Sequence, residues 1–212
     1  MADVYRNLIN GRWVDSVSGQ TFTRANPASG DIVGTFVQSD HRDVDAAVAA
    51  AKTAFETWRL YPAPKRGEIL FTAARILEER KELLAREMTE EMGKVISEAR
   101  GDVQEAIDMA YYMAGEGRRM WGQTTPSELR SKFNMSVRRP IGVVGLVTPW
   151  NFPMAIPSWK TLPALIAGNT VVLKPATYTP KLSIRFFEVL QEAGIPDGVI
   201  NIVLGSGSDV GL

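Results

Sequence analysis

Gly142-Val-Val-Gly-Leu-Val147 is a short, almost wholly apolar run, and Thr148-Pro-Trp-Asn-Phe-Pro153 follows it directly. A run of this composition is typical of a β-strand that is covered on both faces of a sheet. Pro149 and Pro153 fix their own φ angles and favour extended geometry in the residues before them, so the three residues between them are held on a stiff, non-helical turn. Because open α/β sheets bind ligands at the carboxyl ends of their strands, this turn predicts a ligand site.

Two more apolar runs follow the first at regular spacing. Thr170-Val-Val-Leu173 and Val199-Ile-Asn-Ile-Val-Leu204 have a similar composition, and successive runs start about 28 residues apart. That spacing is close to the length of about 30 residues or more that a βαβ unit requires. Residues 156–167 and 181–193 lie between the runs, and each segment is long enough for a crossover helix. The sequence therefore predicts a parallel sheet with helical connections.

The residues directly after the three runs carry most of the special-purpose side chains. Right-handed crossovers in one sheet bring the carboxyl ends of its parallel strands to the same edge. We therefore expect one crevice, which is lined by Trp150, Asn151, Lys174, Gly205 and Gly207.

Shorter elements are predicted before this sheet. Asn10-Gly11 accepts the positive φ angles of a type I′ turn and therefore predicts a tight hairpin. Residues 22–25 and 32–38 have the composition of further short strands. Asp40 is a suitable helix N-cap, and Asp43, three residues later, resembles the second half of a capping box.

Three helices are predicted between that cap and residue 121. The first starts at Asp40, the second follows Pro64 and ends or bends at Gly93, and the third spans about 97–121. Apolar residues recur at helical spacing in all three, so each helix is expected to bury one face. The predicted faces are Val44, Val48, Ala51, Phe55 and Trp58 in the first helix, Leu70, Ala73, Leu77, Leu84 and Met88 in the second, and Val103, Ile107, Ala110 and Ala114 in the third.

Residues 131–138 change the hydrophobic period from helical to alternating. Alternation of apolar and polar side chains predicts a strand with one face in water. The apolar face is Phe133, Met135 and Val137, and the polar face is Lys132, Asn134, Ser136 and Arg138.

The composition argues against several classes of function. Lys and Arg number 24, Asp and Glu also number 24, and like charges form no long block, so neither a nucleic acid nor an anionic membrane is expected as a partner. The polar start of the chain and the lack of a long apolar run predict a cytoplasmic location. The chain has no cysteine, which excludes disulfides and thiolate metal sites, and we expect no bound metal.

Several motifs are most informative when they are taken together and in order. They are Asn7–Val14, Asn26-Pro27, Glu91–Lys94 with Glu98-Ala99, the turn Pro149–Pro153, Trp159-Lys160, Ala167–Thr170, Lys174-Pro-Ala176, Gly194–Val199 and Gly205-Ser-Gly207. In this combination the chain resembles the NAD(P)-dependent aldehyde dehydrogenase superfamily from about residue 5 to its last residue. The resemblance implies an α/β fold, in which an incomplete Rossmann-like parallel sheet is preceded by a helical and β-hairpin N-terminal region.

The resemblance also implies a division of the chain. Residues 1–121 would form the N-terminal hairpin and helices that pack on the cofactor domain. Residues 122–139 would form an oligomerisation arm strand, and residues 140–212 the first βαβαβ part of the NAD(P)-binding domain. Because the family uses such an arm in subunit assembly, the complete protein is expected to be a homodimer or homotetramer.

Asn151 is the residue to which the resemblance assigns the main catalytic role. In the family its side-chain amide donates to the oxyanion that forms when a cysteine thiolate adds to an aldehyde, and one such donor contributes ~3–4 kcal/mol to the transition state. From the local sequence alone, the asparagine could equally satisfy its own turn. The family gives Lys160 an accessory catalytic or cofactor role. Alternatively, this lysine lies on a helix and simply extends its ammonium into water.

NAD or NADP is the cofactor that the resemblance implies. Lys174 would hold the adenosine ribose, although a solvated lysine is common at a strand end. The glycines from Gly205 onward depart from G-x-G-x-x-G because position 210 is valine, and the resemblance instead implies that Gly207 lies near the adenine. The full set of expected cofactor residues is Thr148, Pro149, Trp150, Asn151, Lys174, Ala176, Thr177 and Gly207.

Thr177 stands where many members of the family have a glutamate that holds the ribose hydroxyls. A carboxylate hydrogen-bonds a 2′-hydroxyl but repels a 2′-phosphate. A neutral threonine near Lys174 therefore predicts that the complete enzyme accepts NADP⁺ at least as well as NAD⁺. Alternatively, Thr177 only caps the helix that starts near Pro180, or another residue holds the ribose.

The resembled family attacks its aldehyde with a cysteine, uses a glutamate as base, and has chains more than twice this long. Because this sequence has no cysteine, the resemblance predicts the N-terminal portion of an aldehyde dehydrogenase, truncated before both residues and inactive by itself. The alternative is a naturally short, non-catalytic module that binds nucleotide or pairs with full-length subunits. An isolated N-terminal portion is expected to expose a sheet edge at Val199–Leu204.

Overall fold

The computed structural model describes residues 3–211 of the chain. The strands are β1 (Val4–Tyr5), β2 (Asn7–Ile9), β3 (Arg12–Val14), β4 (Gln20–Ala25), β5 (Ile32–Gln38), β6 (Thr124–Pro126), β7 (Phe133–Met135), β8 (Val143–Val147), β9 (Thr170–Lys174) and β10 (Ile200–Ile202). The helices are α1 (His41–Trp58), α2 (Ala63–Glu79), α3 (Lys81–Met92), α4 (Ile96–Glu116), α5 (Ala155–Ile166), α6 (Pro180–Glu192) and α7 (Gly207–Val210).

A five-stranded sheet with the order β3-β2-β10-β9-β8 forms the centre of the fold. Strands β8, β9 and β10 are parallel, and α5 and α6 are the crossover helices between them. The predicted α/β fold with a Rossmann-like parallel sheet is therefore confirmed. Strands β1, β5 and β4 form a separate sheet, and β6 pairs only with β7.

Helices cover both faces of the parallel strands. Neighbouring residues of a strand point to opposite faces. Val172 packs with Ala47 and Ala51 of α1, whereas Val171 and Leu173 belong to the large apolar core that α5 and α6 help to form. Helix α4 packs in turn on α2, α3 and α5. The core thus extends from the sheet through α5 and α6 to the N-terminal helices.

The sheet edge lies in a different place from the predicted one. The prediction of an exposed edge at Val199–Leu204 is wrong, because β2 pairs with β10 in antiparallel fashion, with Ile202 opposite Leu8. The Asn7 side-chain oxygen also accepts a hydrogen bond from Leu204 N at 2.8 Å. The hairpin β2–β3 therefore covers β10. The exposed edge of the parallel strands is β8.

The position of β8 at the edge also corrects the expectation that residues 142–147 are covered on both faces. Val147 is 68% exposed, and the other residues of β8 are exposed or only partly buried. By contrast, every residue of β9 and β10 is buried. An apolar run can occupy an edge as well as the middle of a sheet, so composition alone did not distinguish the two positions.

The predicted hairpin and helix cap are present. Asn10 and Gly11 have φ angles of 50° and 77°, which are the positive values that a type I′ turn requires. Asp40 caps α1, its side chain accepts from the Arg42 backbone N–H, and Asp43 completes the capping box. These features depend on residues at most three positions apart, which is why the sequence predicted them.

Three details of the helices differ from the predictions. The second predicted helix is two helices, α2 and α3, because Arg80 leaves helical geometry at φ −98° and ψ 5°. Helix α4 ends at Glu116 rather than at 121. On α1 the buried positions are Asp43, Ala47, Ala51 and Trp58, whereas Val44, Val48 and Phe55 are only partly buried.

The predicted arm strand is shorter than expected and has no buried face in the single chain. The strand β7 covers only Phe133–Met135, and it pairs with β6. Phe133 and Met135 are 67% and 65% exposed, so the expectation of one buried face is not met within the described residues. No helix within residues 3–211 is both long enough and apolar enough to span a bilayer.

Candidate active site

The carboxyl ends of β8 and β9 lie side by side. Val147 is opposite Lys174 in the parallel register, and the Thr148 backbone N–H donates to the Lys174 carbonyl at 3.2 Å. Strand β10 pairs with β9 on its other side, where Ile202 is opposite Leu173. The structure thus brings the three loops that follow the strands to the same edge of the sheet.

The turn after β8 points its side chains outward. Trp150 is 55% exposed, Phe152 is 37% exposed, and Asn151 between them is also exposed. Among residues 3–211 the Asn151 side chain has no hydrogen-bond partner, so its amide does not satisfy its own turn. The amide N–H₂ is therefore available to a ligand in this crevice.

Three hydrogen bonds from other elements hold carbonyl groups of this turn, and a fourth holds the first residue of α5. Because the turn has no regular secondary structure, such contacts must satisfy its polar groups. The Trp150 carbonyl accepts from Thr179 Oγ1 at 3.3 Å, the Asn151 carbonyl from Lys94 Nζ at 2.8 Å, and the Pro153 carbonyl from Ser183 Oγ at 3.2 Å, while Ala155 N–H donates to Asp102 Oδ1 at 2.8 Å.

Sequence reasoning gave Lys94 and Asp102 no role at this site. Lys94 lies between α3 and α4, and Asp102 lies on α4. Their side chains form an ion pair at 2.9 Å and are only 9% and 0% exposed. Lys94 Nζ also lies 4.1 Å from the centroid of the Phe152 ring, within the range of a cation–π contact. The sequence does contain the Glu91–Lys94 motif, but the motif shows neither that Lys94 is buried nor which residues it contacts.

Lys160 lies on α5 with an exposed side chain, and among the described residues it makes no side-chain hydrogen bond. The neighbouring Trp159 stacks on Phe152 with ring centroids 6.2 Å apart. Helix α5 begins four residues after Asn151, so the helix carries Lys160 on the element that directly follows the turn.

Lys174 is not the solvated lysine that a strand end often carries. It is 8% exposed, and its Nζ donates to the Pro175 carbonyl at 2.8 Å. Burial lowers the pKa of the Lys174 ammonium. A buried cation with one hydrogen bond to a neutral carbonyl still has donor capacity for an additional polar partner.

Ala176 and Thr177 are partly buried in the loop after β9. The Thr177 carbonyl accepts a hydrogen bond from Arg24 Nε, and within residues 3–211 the Thr177 hydroxyl has no hydrogen-bond partner. Thr177 does not cap α6. The backbone N–H groups of Lys181 and Leu182 donate instead to the Glu91 carboxyl group at 2.7 and 3.2 Å.

Glu91 is buried where it meets the start of α6. Burial raises the pKa of the Glu91 carboxyl group to about 8, while the two backbone N–H groups and the Lys181 ammonium act in the opposite direction. A carboxylate at a helix N-terminus is otherwise favoured by the helix dipole. Glu91 therefore fixes the start of the helix that follows the Thr177 loop.

The third loop leads directly into a short helix. Gly205 has a φ of 156°, Ser206 caps α7, and Gly207 is the exposed first residue of that helix. Strand β10 ends at Ile202, so Gly207 lies five residues beyond the strand. The loop therefore follows the carboxyl end of the third parallel strand, as predicted.

Open cavities flank Trp150 on two sides. One has a volume of about 530 Å³ and is lined by Arg24, Glu91, Tyr178 and Thr179. The other has a volume of about 520 Å³ and contains the turn itself, with Asn151 and Phe152 facing Lys94 and Asp102. Residues 3–211 contain no cluster of three or more histidine, aspartate or glutamate side chains arranged to hold a metal ion.

A nucleotide cofactor fits several features of this edge. Thr148 is buried, and its Oγ1 has no hydrogen-bond partner among the described residues. The Lys174 ammonium, the Thr177 hydroxyl and the Asn151 amide likewise have unused hydrogen-bonding capacity. The fold and this edge thus define an α/β protein with a polar ligand crevice at the carboxyl ends of its parallel strands.

The chain belongs to the aldehyde dehydrogenase family, whose sequence profile matches residues 13–212. One curated relative is the alpha-ketoglutaric semialdehyde dehydrogenase of Bacillus subtilis (strain 168). It is 46% identical over 210 residues, which are 99% of this chain and 43% of the relative. The chain therefore spans less than half the length of that relative.

Solved structures of similar sequence share the fold. An E. coli NADP-dependent enzyme superposes with a TM-score of 0.95 at 39% identity, over 99% of this chain and 44% of that enzyme. An NAD-dependent aldehyde dehydrogenase from Sinorhizobium meliloti superposes with a TM-score of 0.95 at 40% identity, over 100% of this chain and 43% of that enzyme. The predicted resemblance to the NAD(P)-dependent aldehyde dehydrogenases is thereby confirmed.

Proposed function

We propose that the protein containing this chain oxidises an aldehyde to a carboxylic acid, with NAD(P)⁺ as the hydride acceptor. The observation that carries the proposal is the exposed Asn151 amide, which has no internal partner and stands on a rigid turn at the carboxyl end of β8. An amide that is held in this way is suited to stabilise negative charge that develops on a substrate oxygen. Membership of the aldehyde dehydrogenase family supports the same reaction class.

In this proposal Asn151 donates a hydrogen bond to the oxyanion that forms when a thiolate adds to the aldehyde carbonyl. The thiolate cannot come from this chain, which has no cysteine. In this proposal the nucleophile is therefore a thiolate that this chain does not supply. Lys160 has an accessory role beside Asn151, because its exposed side chain lies on the helix that follows the turn.

The proposed cofactor contacts follow the three strand ends. NAD(P)⁺, when bound, supplies the oxidising power by accepting a hydride. Thr148, Pro149, Trp150 and Asn151 line the nicotinamide side. Lys174, Ala176 and Thr177 hold the adenosine ribose, and Gly207 lies near the adenine. The buried Lys174 ammonium and the unpartnered hydroxyls of Thr148 and Thr177 support these assignments, since each has hydrogen-bonding capacity to spare.

NADP⁺ is accepted at least as well as NAD⁺ in this proposal. Thr177 is neutral, its carbonyl accepts from Arg24 Nε, and Lys174 lies three residues before it, so two cations stand at this loop. Positive charge attracts a 2′-phosphate. The solved relatives include an enzyme described as NADP-dependent and another described as NAD-dependent, so family membership leaves both cofactors open.

The name of a relative supports a proposal for the substrate class. A semialdehyde carries an aldehyde group at one end and a carboxyl group at the other, and the Bacillus subtilis relative is named for such a compound. We propose a semialdehyde as the substrate.

We also propose a homodimer or homotetramer that assembles through residues 122–139, because the arm exposes apolar side chains on β7. The division into segments 1–121, 122–139 and 140–212 and a cytoplasmic location stay predictions.

The absence of cysteine from the chain favours one alternative function. A non-catalytic module could use the same edge to bind nucleotide, or it could pair with full-length subunits through the arm. The intact mass of the native gene product distinguishes the two proposals. A native mass of about 23.3 kDa, the mass of this chain, would support the module.

The direct test of the proposed activity uses the complete native protein. Purified protein is mixed with a semialdehyde and with either NAD⁺ or NADP⁺, and formation of the reduced cofactor is followed by absorbance. We expect turnover that depends on the aldehyde and on the cofactor. Absence of turnover with a panel of aldehydes and both cofactors would contradict the proposal.

A further inference from the structure

We propose that Lys94 and Asp102 form a clamp that positions Asn151 for its role as oxyanion donor. This inference rests on the proposed function and assigns a role to two residues outside the strand ends. Both are positioning residues in this proposal, since neither side chain is placed against substrate or cofactor.

The clamp holds the turn at Asn151 and the helix after the turn at Ala155. Lys94 Nζ donates to the Asn151 carbonyl at 2.8 Å, and Asp102 Oδ1 accepts from the Ala155 backbone N–H at 2.8 Å. The second carboxylate oxygen, Asp102 Oδ2, binds Lys94 Nζ at 2.9 Å. One continuous chain of hydrogen bonds therefore joins the Asn151 carbonyl to the first residue of α5.

Burial makes this arrangement stiff. The Lys94 and Asp102 side chains are 9% and 0% exposed, so solvent competes little for their ion pair and for the bond from Ala155 N–H, whereas the Lys94 bond to Asn151 ends on a carbonyl of an exposed residue. Charge-assisted hydrogen bonds in such surroundings are short and strongly directional. Lys94 is also fixed from the side by the Phe152 ring, 4.1 Å from its ammonium. The clamp therefore restrains the chain at the Asn151 carbonyl, at the Phe152 ring and at the Ala155 N–H.

The Asn151 side chain itself has no internal partner, so its position depends on its backbone. An oxyanion donor must lie about 2.7–3.1 Å from the position of the developing charge. A displacement of about 1 Å can reduce the rate about 10²-fold. Because the amide has no hydrogen bond of its own, its position depends on the backbone contacts of the turn, and the Lys94 bond is the one made at Asn151 itself.

The first test is the Lys94→Met variant of the complete protein. We expect kcat to fall roughly 10- to 100-fold, because the amide is misplaced. The KM for NAD(P)⁺ should stay within about twofold, since a misplaced transition-state donor lowers kcat rather than cofactor binding. Lys94→Met also leaves the buried Asp102 carboxylate unpaired, which destabilises the protein. Lys94→Met combined with Asp102→Asn removes both charges, keeps an acceptor for Ala155 N–H and serves as the better-folded variant.

Arg185→Met is the control. Arg185 forms a partly buried ion pair with Glu87 at 2.9 Å, with side chains 30% and 11% exposed, and its guanidinium makes no hydrogen bond to the turn. We expect this variant to lower stability while kcat stays within about twofold of the wild type, because the Asn151 carbonyl keeps its partner.

A double-mutant cycle separates positioning from a general structural effect. In an Asn151→Ala background there is no amide to misplace, so Lys94→Met should lower kcat by no more than about twofold further. The same loss in both backgrounds, or a folded Lys94→Met protein with wild-type kcat, would overturn the clamp while leaving the proposed reaction intact.

Amide hydrogen exchange tests the clamp without any turnover. Ala155 N–H donates to Asp102, and the N–H groups of Ile156 and Ser158 donate to the Phe152 and Met154 carbonyls. Exchange at these three amides should accelerate at least roughly tenfold in Lys94→Met but not in Arg185→Met, because only the first variant frees the turn. Equal exchange in the two variants would overturn the clamp. If the wild type is inactive but exchange at the turn still accelerates selectively in Lys94→Met, the proposed function is refuted. The inference that Lys94 and Asp102 restrain the turn is then still supported.

Discussion

The loops after β8 and β9 carry the main candidate site residues, but the two loops differ in how far their side chains are exposed to solvent. The loop after β8 exposes Trp150 and Asn151, whereas the loop after β9 buries Lys174 beside its own backbone. The difference follows from strand order, because β8 is an edge strand and β9 lies between two strands. A loop at the edge has space for a substrate, but other elements must hold it in place.

Loss of all turnover in the isolated 212-residue chain is the largest effect that we expect. The exposed Asn151 amide can stabilise an oxyanion, but a hydrogen-bond donor does not replace the thiolate that the chain lacks. The measurement compares reduced-cofactor formation by the purified chain and by the complete protein under the same conditions. Turnover by the homogeneous chain would show that the chemistry needs no cysteine.

Asn151→Ala in the complete protein is expected to lower kcat by about 10²–10³ from loss of one oxyanion donor. The variant changes only the loop after β8, since it leaves the β9 loop and its cofactor contacts in place. Single-turnover kinetics measure the chemical step directly. An unchanged rate of that step would contradict the role of Asn151. Asn169→Ala is unsuitable as a control, because Asn169 Oδ1 accepts hydrogen bonds from the backbone just before β8.

Thr177→Glu is expected to shift the ratio of kcat/KM for NAD⁺ over NADP⁺ by roughly tenfold towards NAD⁺, because a carboxylate repels a 2′-phosphate. Thr177→Gln is the matched control, with the same length and no charge. Steady-state kinetics with both cofactors measure the shift. A wild type that already prefers NAD⁺ by more than about tenfold, or a glutamate variant without a shift, would contradict the argument from this residue.

Association of the isolated chain is expected to depend on the β8 edge, which is exposed and apolar. Val147→Lys places a charge on that edge, and repulsion between apposed like charges should weaken association roughly two- to fivefold. Val17→Lys, at a position 58% exposed outside any strand, is the control for Val147, which is 68% exposed. Sedimentation measures both variants. A monodisperse wild-type monomer with a sharp cooperative melt would contradict an exposed associating edge.

Much of the local structure could be predicted because neighbouring residues determine it. The type I′ turn at Asn10-Gly11 and the capping box from Asp40 to Asp43 involve side chains a few positions apart. The hydrophobic runs likewise predicted the parallel strands and their crossover helices. The position of the Asn151 turn after the first strand followed from the same local pattern.

Two features that the sequence did not predict depend on distant contacts. The pairing of β2 with β10 brings Asn7 to Leu204, 197 residues away, and it moves the exposed edge from β10 to β8. The contact of Lys94 with the Asn151 carbonyl spans 57 residues. Hydrophobic periodicity determines which face of an element is buried, but not which element covers it, so neither contact could be read from spacing.

The distance between the Asn151 amide and the reacting oxygen tests the central claim most directly. A crystal structure of the complete protein, trapped with an aldehyde-derived adduct and its cofactor, provides that distance. We expect Asn151 Nδ2 to lie about 2.7–3.1 Å from the adduct oxygen. An amide that instead hydrogen-bonds within its own turn, or that lies more than about 4 Å from this oxygen, would contradict the assignment.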